Sequence, residues 1–408
     1  MDKGYPKKVL MTASVPSMIG QFNMDNLRLL KEMGYQVHVA CNFQDRSVWS
    51  EKRIAQFQKT MYENGIQCKQ IEFSRSPFSF SRHIRSYQKL CADMQKEKYT
   101  FVHCHTPVAA AITRLAAVKT GTRVLYTAHG FHFYRHAPWW NWILYYPLER
   151  VLSYRTDILL TMNREDLRLA RRYLCAKETD YIPGIGIDTE KFLLSKGVMH
   201  SKKEQEHFRE EKRKQLGLRK EDIVLLSVGE LSKRKNHRMV LEALSRIQRT
   251  QIRYVICGRG DREQALKNEA AHRGLSEKVI FAGYRSDVEE FYQMADLFVF
   301  PSIQEGLPVA LMEAMASGIP CLASDIRGNT DLLASMADTC LFPLDKPKIF
   351  LEKMEALIGN PQLRERVQKK NLEEIKKFDR KRVNRQMKFI YEQMEYMAGE
   401  RRKDRRYS

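Results

Sequence analysis

The sequence predicts an α/β protein made of two doubly wound, parallel-sheet domains. Strand-like apolar runs alternate with helix-like segments from the start, the alternation resumes after a charge-rich stretch between Lys196 and Lys220, and 408 residues exceed what one hydrophobic core usually holds. In the first half, strands are expected over Val9–Val15, Gln36–Cys41, Phe101–His105, Arg123–Ala128 and Asp157–Met162. Helices are expected over Asn23–Met33 (closed by Gly34), after Pro107 and over Arg164–Leu174. The second half repeats the plan, with strands at Ile223–Val228, Ile252–Cys257, Lys278–Phe281, Asp296–Pro301 and Ile319–Ala323. The charge-rich stretch reads as a solvated helix or linker. The division expected is therefore residues 1–195 and 196–378 as Rossmann-like domains, then 379–408 as an amphipathic helix packing back on the first domain, with a basic tail. In that helix Met387, Ile390, Tyr391, Met394 and Met397 fall at helical spacing, and the tail from Arg401 to Arg406 reads as disordered.

Composition narrows the function classes. Apolar residues make up 43% of the chain, ample for burial, and no run of eighteen apolar residues suggests a spanning helix. With no signal peptide evident, the expectation is a cytoplasmic protein. Eight scattered cysteines without a C-x-x-C pair read as reduced thiols. Seventy basic against 49 acidic side chains give a net charge of +21, which favours an anionic partner. Nucleic acid is not the one expected, since zinc-finger spacing, RNP-type aromatics and an isolated basic reading helix are all missing. His103, Cys104 and His105 alternate faces on a strand and make a poor metal set, and no D-x-D motif occurs, so no metal or other cofactor is expected.

The most informative stretch is FVFPSIQEGLPVALMEAMASGIPCLASD, from Phe298 to Asp325. A strand ends at Pro301, Pro308 suits the first turn of a helix, and Gly318 suits its end. Gln304 to Leu307 thus offer free backbone N–H groups at a positive helix end, where a diphosphate binds well. Glu313, inside an otherwise apolar helix, needs a partner. A structural reading makes Glu305 a helix cap and pairs Glu313 with an Arg. In SVGELSKRKNH, Ser227 to His237, three cations crowd the turn after a strand. Gly258 and Gly260 in CGRGDRE lack the third glycine of a dinucleotide fingerprint, because Glu263 stands there, so a nicotinamide cofactor is not expected. In the first half, TAHGFHFY puts His129 and Gly130 at a strand's carboxyl end, the edge at which open α/β sheets bind ligands.

Two glutamates eight positions apart around G-L-P strongly resemble the signature of retaining, GT-B-fold glycosyltransferases of sequence family 4. The resemblance covers nearly the whole chain, is strongest from Ser227 to Leu333, and implies two Rossmann-like domains facing a central cleft. It implies that Glu305 contacts donor-sugar hydroxyls and Glu313 the nucleotide ribose, with Gly306, Leu307 and Pro308 at the diphosphate. It places Lys235 on the diphosphate. Many relatives have Arg where this chain has Glu230, so Lys233 and Arg234 both stand as candidates for the second cation. The nucleobase is implied near backbone of Gly283, Tyr284 and Arg285. His129 is implied to contact the donor sugar across the cleft, with His132 as the alternative. Gly20, in PSMIGQF, matches a loop bordering the phosphates and acceptor, though paired glycines are absent.

The implied activity is a retaining, metal-independent transfer from a nucleotide diphosphate sugar, a UDP-sugar, to a saccharide or undecaprenyl-diphosphate-linked acceptor in exopolysaccharide or capsule synthesis. Glu305, Lys235 and His129 are the expected catalytic residues. Two other classes compete: a UDP-sugar epimerase of related fold, and a basic non-enzymatic protein binding membrane or nucleic acid. A peripheral position on the inner face of an anionic membrane is expected, through Trp49, Lys52, Arg53 and Phe57, through Arg82, Arg85 and Lys89, or through the aromatic segment His136–Leu152 around Trp140. That aromatic segment reads equally as a buried helix lining the cleft.

Overall fold

The computed structural model describes residues 7–76, 78–134, 137–192 and 202–407, with side chains described as far as residue 400 but not for residue 202. The chain forms two compact units: Met1–Ile185 with Lys381–Ser408, and Gly186–Arg380. The division therefore falls at 185/186 and 380/381, against the expected 195/196 and 378/379. Local pairing accounts for the shift. Ile187 already bridges Asp379, its N–H donating to the Phe378 carbonyl while Arg380 N–H donates to the Ile187 carbonyl, so both crossing points lie beside one short ladder of the second unit.

The first unit is built on seven parallel strands, β1 (Lys8–Thr12), β2 (Gln36–Cys41), β3 (Gln67–Gln70), β4 (Phe101–His105), β5 (Arg123–Ala128), β6 (Ile158–Thr161) and β7 (Glu178–Tyr181), in the order β3-β2-β1-β4-β5-β6-β7. Chain direction across the sheet reverses between β1 and β4, the switch point where such sheets bind ligands. Helices α1 (Pro16–Phe22), α2 (Met24–Glu32), α3 (Glu51–Glu63), α4 (Phe80–Glu97), α5 (Pro107–Thr120), α6 (Trp139–Ser153) and α7 (Arg164–Tyr173) make the crossovers. β3 and β7 were not legible beforehand: QCKQ and ETDY are edge strands with no apolar alternation to announce them. The C-terminal helix Arg380–Tyr407 buries Val383, Met387, Ile390, Tyr391 and Met394 in this unit, and Tyr391 stacks near Phe101. Its backbone stays helical through Tyr407, where the sequence suggests disorder.

One interaction fixes how α6 is rotated. Arg114 on α5, 1% exposed, forks onto Glu149 of α6 through Nη1–Oε2 at 2.9 Å and Nη2–Oε1 at 3.0 Å, with its guanidinium over Tyr126. A charge this deep requires its partner inside, so Glu149 turns inward beside Leu152 and Ser153. The opposite face then points to solvent, and it is apolar: Trp139, Trp140, Ile143, Leu144, Leu148 and Val151 are all exposed.

The second unit has six parallel strands, β8 (Ile223–Val228), β9 (Ile252–Cys257), β10 (Val279–Gly283), β11 (Leu297–Phe300), β12 (Cys321–Ser324) and β13 (Leu341–Phe342), in the order β10-β9-β8-β11-β12-β13. The charge-rich stretch is no linker in its described part. It forms the helix Lys202–Gln215, tied down by ion pairs: Arg213 is buried, donates to the Met294, Lys220 and Asp222 carbonyls and meets Asp296 at 2.7 Å, while Lys212 meets Asp287 at 3.0 Å. Residues 196–201 of that stretch lie outside the described residues. Gly258 serves close packing of backbone: a Cβ there would sit 1.8 Å from the Gly229 carbonyl oxygen.

The fork yields a test of stability. Arg114→Ala strands a buried carboxylate and is expected to cost about 3–5 kcal/mol, whereas Arg114→Met with Glu149→Leu should recover most of the loss. All four tryptophans, Trp49, Trp139, Trp140 and Trp142, belong to the first unit, so urea unfolding followed by tryptophan fluorescence reads that unit directly.

Candidate functional site

In the second unit the loops after β8 and β11 bring the predicted charged residues together. Lys235 closes the short 3₁₀ turn Lys233–Lys235 after β8, and Asn236 at φ 55° redirects the chain into the helix His237–Leu244. Glu305 lies in the loop between β11 and the helix Val309–Ala316. Lys235 Nζ and Arg234 Nη1 each meet Glu305 Oε1 at 2.7 Å, and Arg234 also donates to the Gln304 carbonyl at 3.1 Å. The Lys235 side chain is 11% exposed and that of Glu305 10%, with the Lys235 ammonium 4.6 Å from the Phe300 ring centroid. Burial lowers the Lys235 pKa, and the Glu305 carboxylate opposes that shift. Of the two candidates for second cation, Arg234 is the one that shares the Glu305 carboxylate with Lys235. Lys233 is exposed and makes no ion pair among the described residues.

Pro308 is the N-cap of the following helix rather than a member of its first turn, at φ −78° and ψ 118°. Leu307 and Pro308 are buried, and the loop at Gly306 is pressed by Gly328, where a Cβ would lie 2.1 Å from the Gly306 carbonyl oxygen. Arg327, also buried, donates to the Glu305 carbonyl at 3.3 Å.

Glu313 has a partner other than the Arg of the structural reading. Tyr292 donates to Glu313 Oε2 at 3.0 Å and approaches the Ala310 carbonyl at 3.1 Å. Desolvation raises the Glu313 pKa to about 7, against the Tyr292 hydrogen bond and Lys191, which lower it, and with Glu289 adding to the rise. The carboxyl is enclosed, yet the residue keeps some accessible surface, and Oε1 has no protein hydrogen bond among the described residues. Tyr284 is exposed beyond β10. The Arg285 side chain is committed to Asp287, with Nε–Oδ1 at 2.8 Å.

At the carboxyl end of the first sheet, β4 and β5 bring three histidines together. His105 Nδ1 and His129 Nε2 are 3.0 Å apart, and the His103 and His105 rings lie 4.1 Å apart. His103 Nδ1 meets the Tyr391 hydroxyl at 3.0 Å and Nε2 meets Thr127 Oγ1 at 2.8 Å. Burial lowers the pKa of His129 to about 4 and that of His103 to about 3, and pushes His105 well below its usual value. All three are neutral at physiological pH. His132 instead stacks on Tyr145 of α6, ring centroids 4.5 Å apart.

Gly20 is displaced from its expected role. It lies inside α1 rather than in an open loop, and a Cβ there would come within 2.3 Å of the Trp49 ring, so it is a packing glycine. Trp49 and Phe57 are themselves buried, which removes them from any surface contact, while Lys52 and Arg53 stay exposed. Among the described residues no group of three or more His, Cys, Asp or Glu side chains is placed to hold a metal ion, and no helix is long and apolar enough to cross a membrane. Sequence reasoning missed Tyr292, Arg327, Gly328 and His105. Only His105 carried a signal, its place beside His103 on one face of β4.

Residues 20–191 match the family model Glycosyltransferase Family 4, and residues 208–374 match Glycosyl transferases group 1. Over 391 residues the chain is 33% identical to a Bacillus subtilis (strain 168) protein named glycosyltransferase EpsD, covering 94% of this chain and 96% of the relative. It is 30% identical over 286 residues, 68% of this chain and 70% of the relative, to the Escherichia coli UDP-Gal:alpha-D-GlcNAc-diphosphoundecaprenol alpha-1,3-galactosyltransferase. The capsular polysaccharide biosynthesis glycosyltransferase CapM of Staphylococcus aureus is 24% identical over 369 residues, 88% of each chain. Among solved structures, Anabaena Alr3699/HepE in complex with UDP and glucose superimposes with a TM-score of 0.73 at 16% identity, over 95% of this chain and 100% of that one. The two doubly wound sheets thus have their counterpart in known structures, and the chain belongs to glycosyltransferase family 4, as a GT-B-fold glycosyltransferase of polysaccharide biosynthesis.

Proposed function

We propose that the chain is a retaining glycosyltransferase that moves a sugar from a UDP-sugar to a saccharide or undecaprenyl-diphosphate-linked saccharide. The observation that carries this reading is the Glu305 carboxylate held by Lys235 and Arg234 beside a helix N-terminus. The Lys235 ammonium is poorly hydrated, so a diphosphate entering beside it meets charge that needs little reorganisation. As the bond between the sugar's anomeric carbon and the diphosphate breaks, negative charge grows on the leaving oxygen, which Lys235, Arg234 and the N–H groups after Pro308 stabilise without a metal. The acceptor oxygen bonds to the anomeric carbon from the same face, and its proton passes to the departing phosphate. Glu305 accepts hydrogen bonds from sugar hydroxyls, Glu313 from the ribose, and His129 contacts the sugar. The names of the Escherichia coli relative and of the Campylobacter jejuni diphospho-undecaprenol N-acetylgalactosaminyltransferase support a lipid-linked acceptor.

Such an acceptor calls for peripheral attachment to an anionic membrane from the cytoplasmic side, and the contacts are best sought on α4 to α6. The outward face of α6 is continued by exposed Leu115 and Val118 on α5 and by Phe80 and Ile84 on α4. Exposed Arg82, Arg85 and Lys89 on α4 and Lys119 on α5 supply positive charge, while the one acid of α5 and α6 is the buried Glu149. Like charge disfavours a second copy on this face.

Three outcomes test the reading. Lys235→Ala is expected to lower kcat for sugar transfer about a hundredfold while the donor KM changes severalfold, and Lys233→Ala to leave both within threefold. Equal losses in the two variants would undo the assignment. Ribose binding needs the Glu313 carboxylate ionised, so UDP affinity measured by calorimetry should rise from pH 6 to pH 8, with Glu313→Gln weaker and flatter across that range. Without nucleotide the sign reverses. A carboxyl raised from 4.5 to about 7 penalises the folded state increasingly as pH climbs between those values, so Glu313→Gln should raise Tm at pH 8 and leave it unchanged at pH 4.5. Finally, the protein should sediment with vesicles containing anionic lipid, less so as salt rises, at roughly 1 kcal/mol per engaged cation. Trp140→Ser, Ile143→Ser and Leu148→Ser together should weaken that binding at least tenfold, and wild-type protein left in the supernatant at low salt would retire the docking claim.

A further inference from the structure

We propose that His105 is a positioning residue that fixes the tautomer of His129, leaving His129 with its proton on Nδ1 as a donor toward bound ligand. The inference rests on the reading of His129 as a residue that contacts the sugar. Its basis is hydrogen-bond accounting between two neutral imidazoles. His105 Nδ1 and His129 Nε2 face each other at 3.0 Å, so one must donate and the other accept. His105 is 1% exposed, and its other nitrogen, Nε2, is buried without a protein hydrogen-bond partner among the described residues.

The two arrangements differ in what they leave inside. If His129 Nε2–H donates, the His105 proton moves to Nε2 and becomes a buried N–H with no acceptor. If His105 Nδ1–H donates, only a bare lone pair is left at that place. Buried unpaired N–H groups are rarer in folded proteins than under-used acceptors, so the second arrangement prevails. Free imidazole favours Nε2–H, and in this arrangement both rings hold the proton on Nδ1 instead; the buried orphan donor of the alternative costs more, so His129 departs from the ordinary preference together with His105. Its Nδ1 has no hydrogen bond among the described residues, and the residue keeps exposed surface at the carboxyl end of β5, next to Phe22. A neutral Nδ1–H there can donate to a sugar oxygen without bringing a charge that would compete for the leaving diphosphate.

His103 prepares the site without deciding it. Both of its nitrogens meet hydroxyls, of Tyr391 and Thr127, and a hydroxyl serves either role. Its ring packs on His105 at 4.1 Å and holds that ring in place.

The test uses full-length protein carrying ¹⁵N-labelled histidine, with the His129 signals identified by their loss in His129→Gln. Long-range ¹H–¹⁵N correlation at pH 7.5 reads the tautomer, and His129 is expected as Nδ1–H. His105→Asn keeps a donor near the former Nδ1 and should preserve that pattern, with kcat within about threefold of wild type. His105→Asp, of the same size but able only to accept when ionised, should convert His129 to Nε2–H and lower kcat tenfold or more with a smaller change in donor KM. Wild-type His129 found as Nε2–H, or a His105→Asp protein that keeps Nδ1–H, would overturn the inference. A converted tautomer with unchanged turnover would leave the positioning role standing and remove His129 from the sugar. Near-ultraviolet circular dichroism of each variant separates these outcomes from misfolding.

Discussion

Parallel strands cannot be joined by tight turns, and that constraint organises both units. Every strand must be followed by a crossover, so every loop that leaves a carboxyl end opens on the same edge of its sheet. His105 ends β4, His129 follows β5, Lys235 follows β8 and Glu305 follows β11. Residues more than sixty positions apart in sequence, such as Lys235 and Glu305, meet because β8 and β11 are neighbours across the sheet's reversal. The register of β4 against β5, His105 opposite Thr127, does the same for the histidines.

What those loops carry is charge and polarity held away from water. The Lys235–Glu305 pair is almost enclosed, Glu313 keeps a carboxyl at the end of a single tyrosine hydroxyl, and three histidines are buried neutral. None of this is economical for stability, because each group loses hydration that its protein partners only partly replace. On the proposed function such a pair is a sensible resting state: the Glu305 carboxylate would keep the cations in place until a diphosphate competes for them.

The sequence made the central strands and the charged loops legible, and it did so where pattern and position agree. β2, β4 and β5 match their expected bounds residue for residue, β2 through its period-two alternation and all three through short strand-like segments between helical ones. Three of the four edge strands escaped notice, since β3, β7 and the two-residue β13 carry no such pattern. Glu305, Lys235 and Glu313 were visible as residues, but their companions were not: choosing Arg234 over Lys233 needs the direction of a 3₁₀ turn, and Tyr292 reaches Glu313 from another helix. Gly20 misled because a glycine after a first strand suggests an open loop, whereas here it makes room for Trp49. The same packing took Trp49 and Phe57 off the surface. A tryptophan beside cations in sequence says nothing about which way its ring turns.

Departures from ordinary amphipathicity then become informative by their direction. A helix normally turns its apolar stripe inward and its charges outward. α6 sends its one acid, Glu149, inward with Leu152 to meet Arg114, and turns Trp139, Trp140, Ile143, Leu144, Leu148 and Val151 outward. The helix Val309–Ala316 departs in the other sense, with an acid on an otherwise apolar segment in the second unit. Each arrangement leaves a group that a partner of matching chemistry would satisfy. Exposed apolar rings flanked by cations gain from an anionic surface with an oily interior, and an enclosed carboxylate gains from hydroxyls brought to it. On the proposed function the two partners are different molecules, a lipid bilayer and a nucleotide sugar, and transfer from a water-soluble donor to a lipid-linked chain would need both.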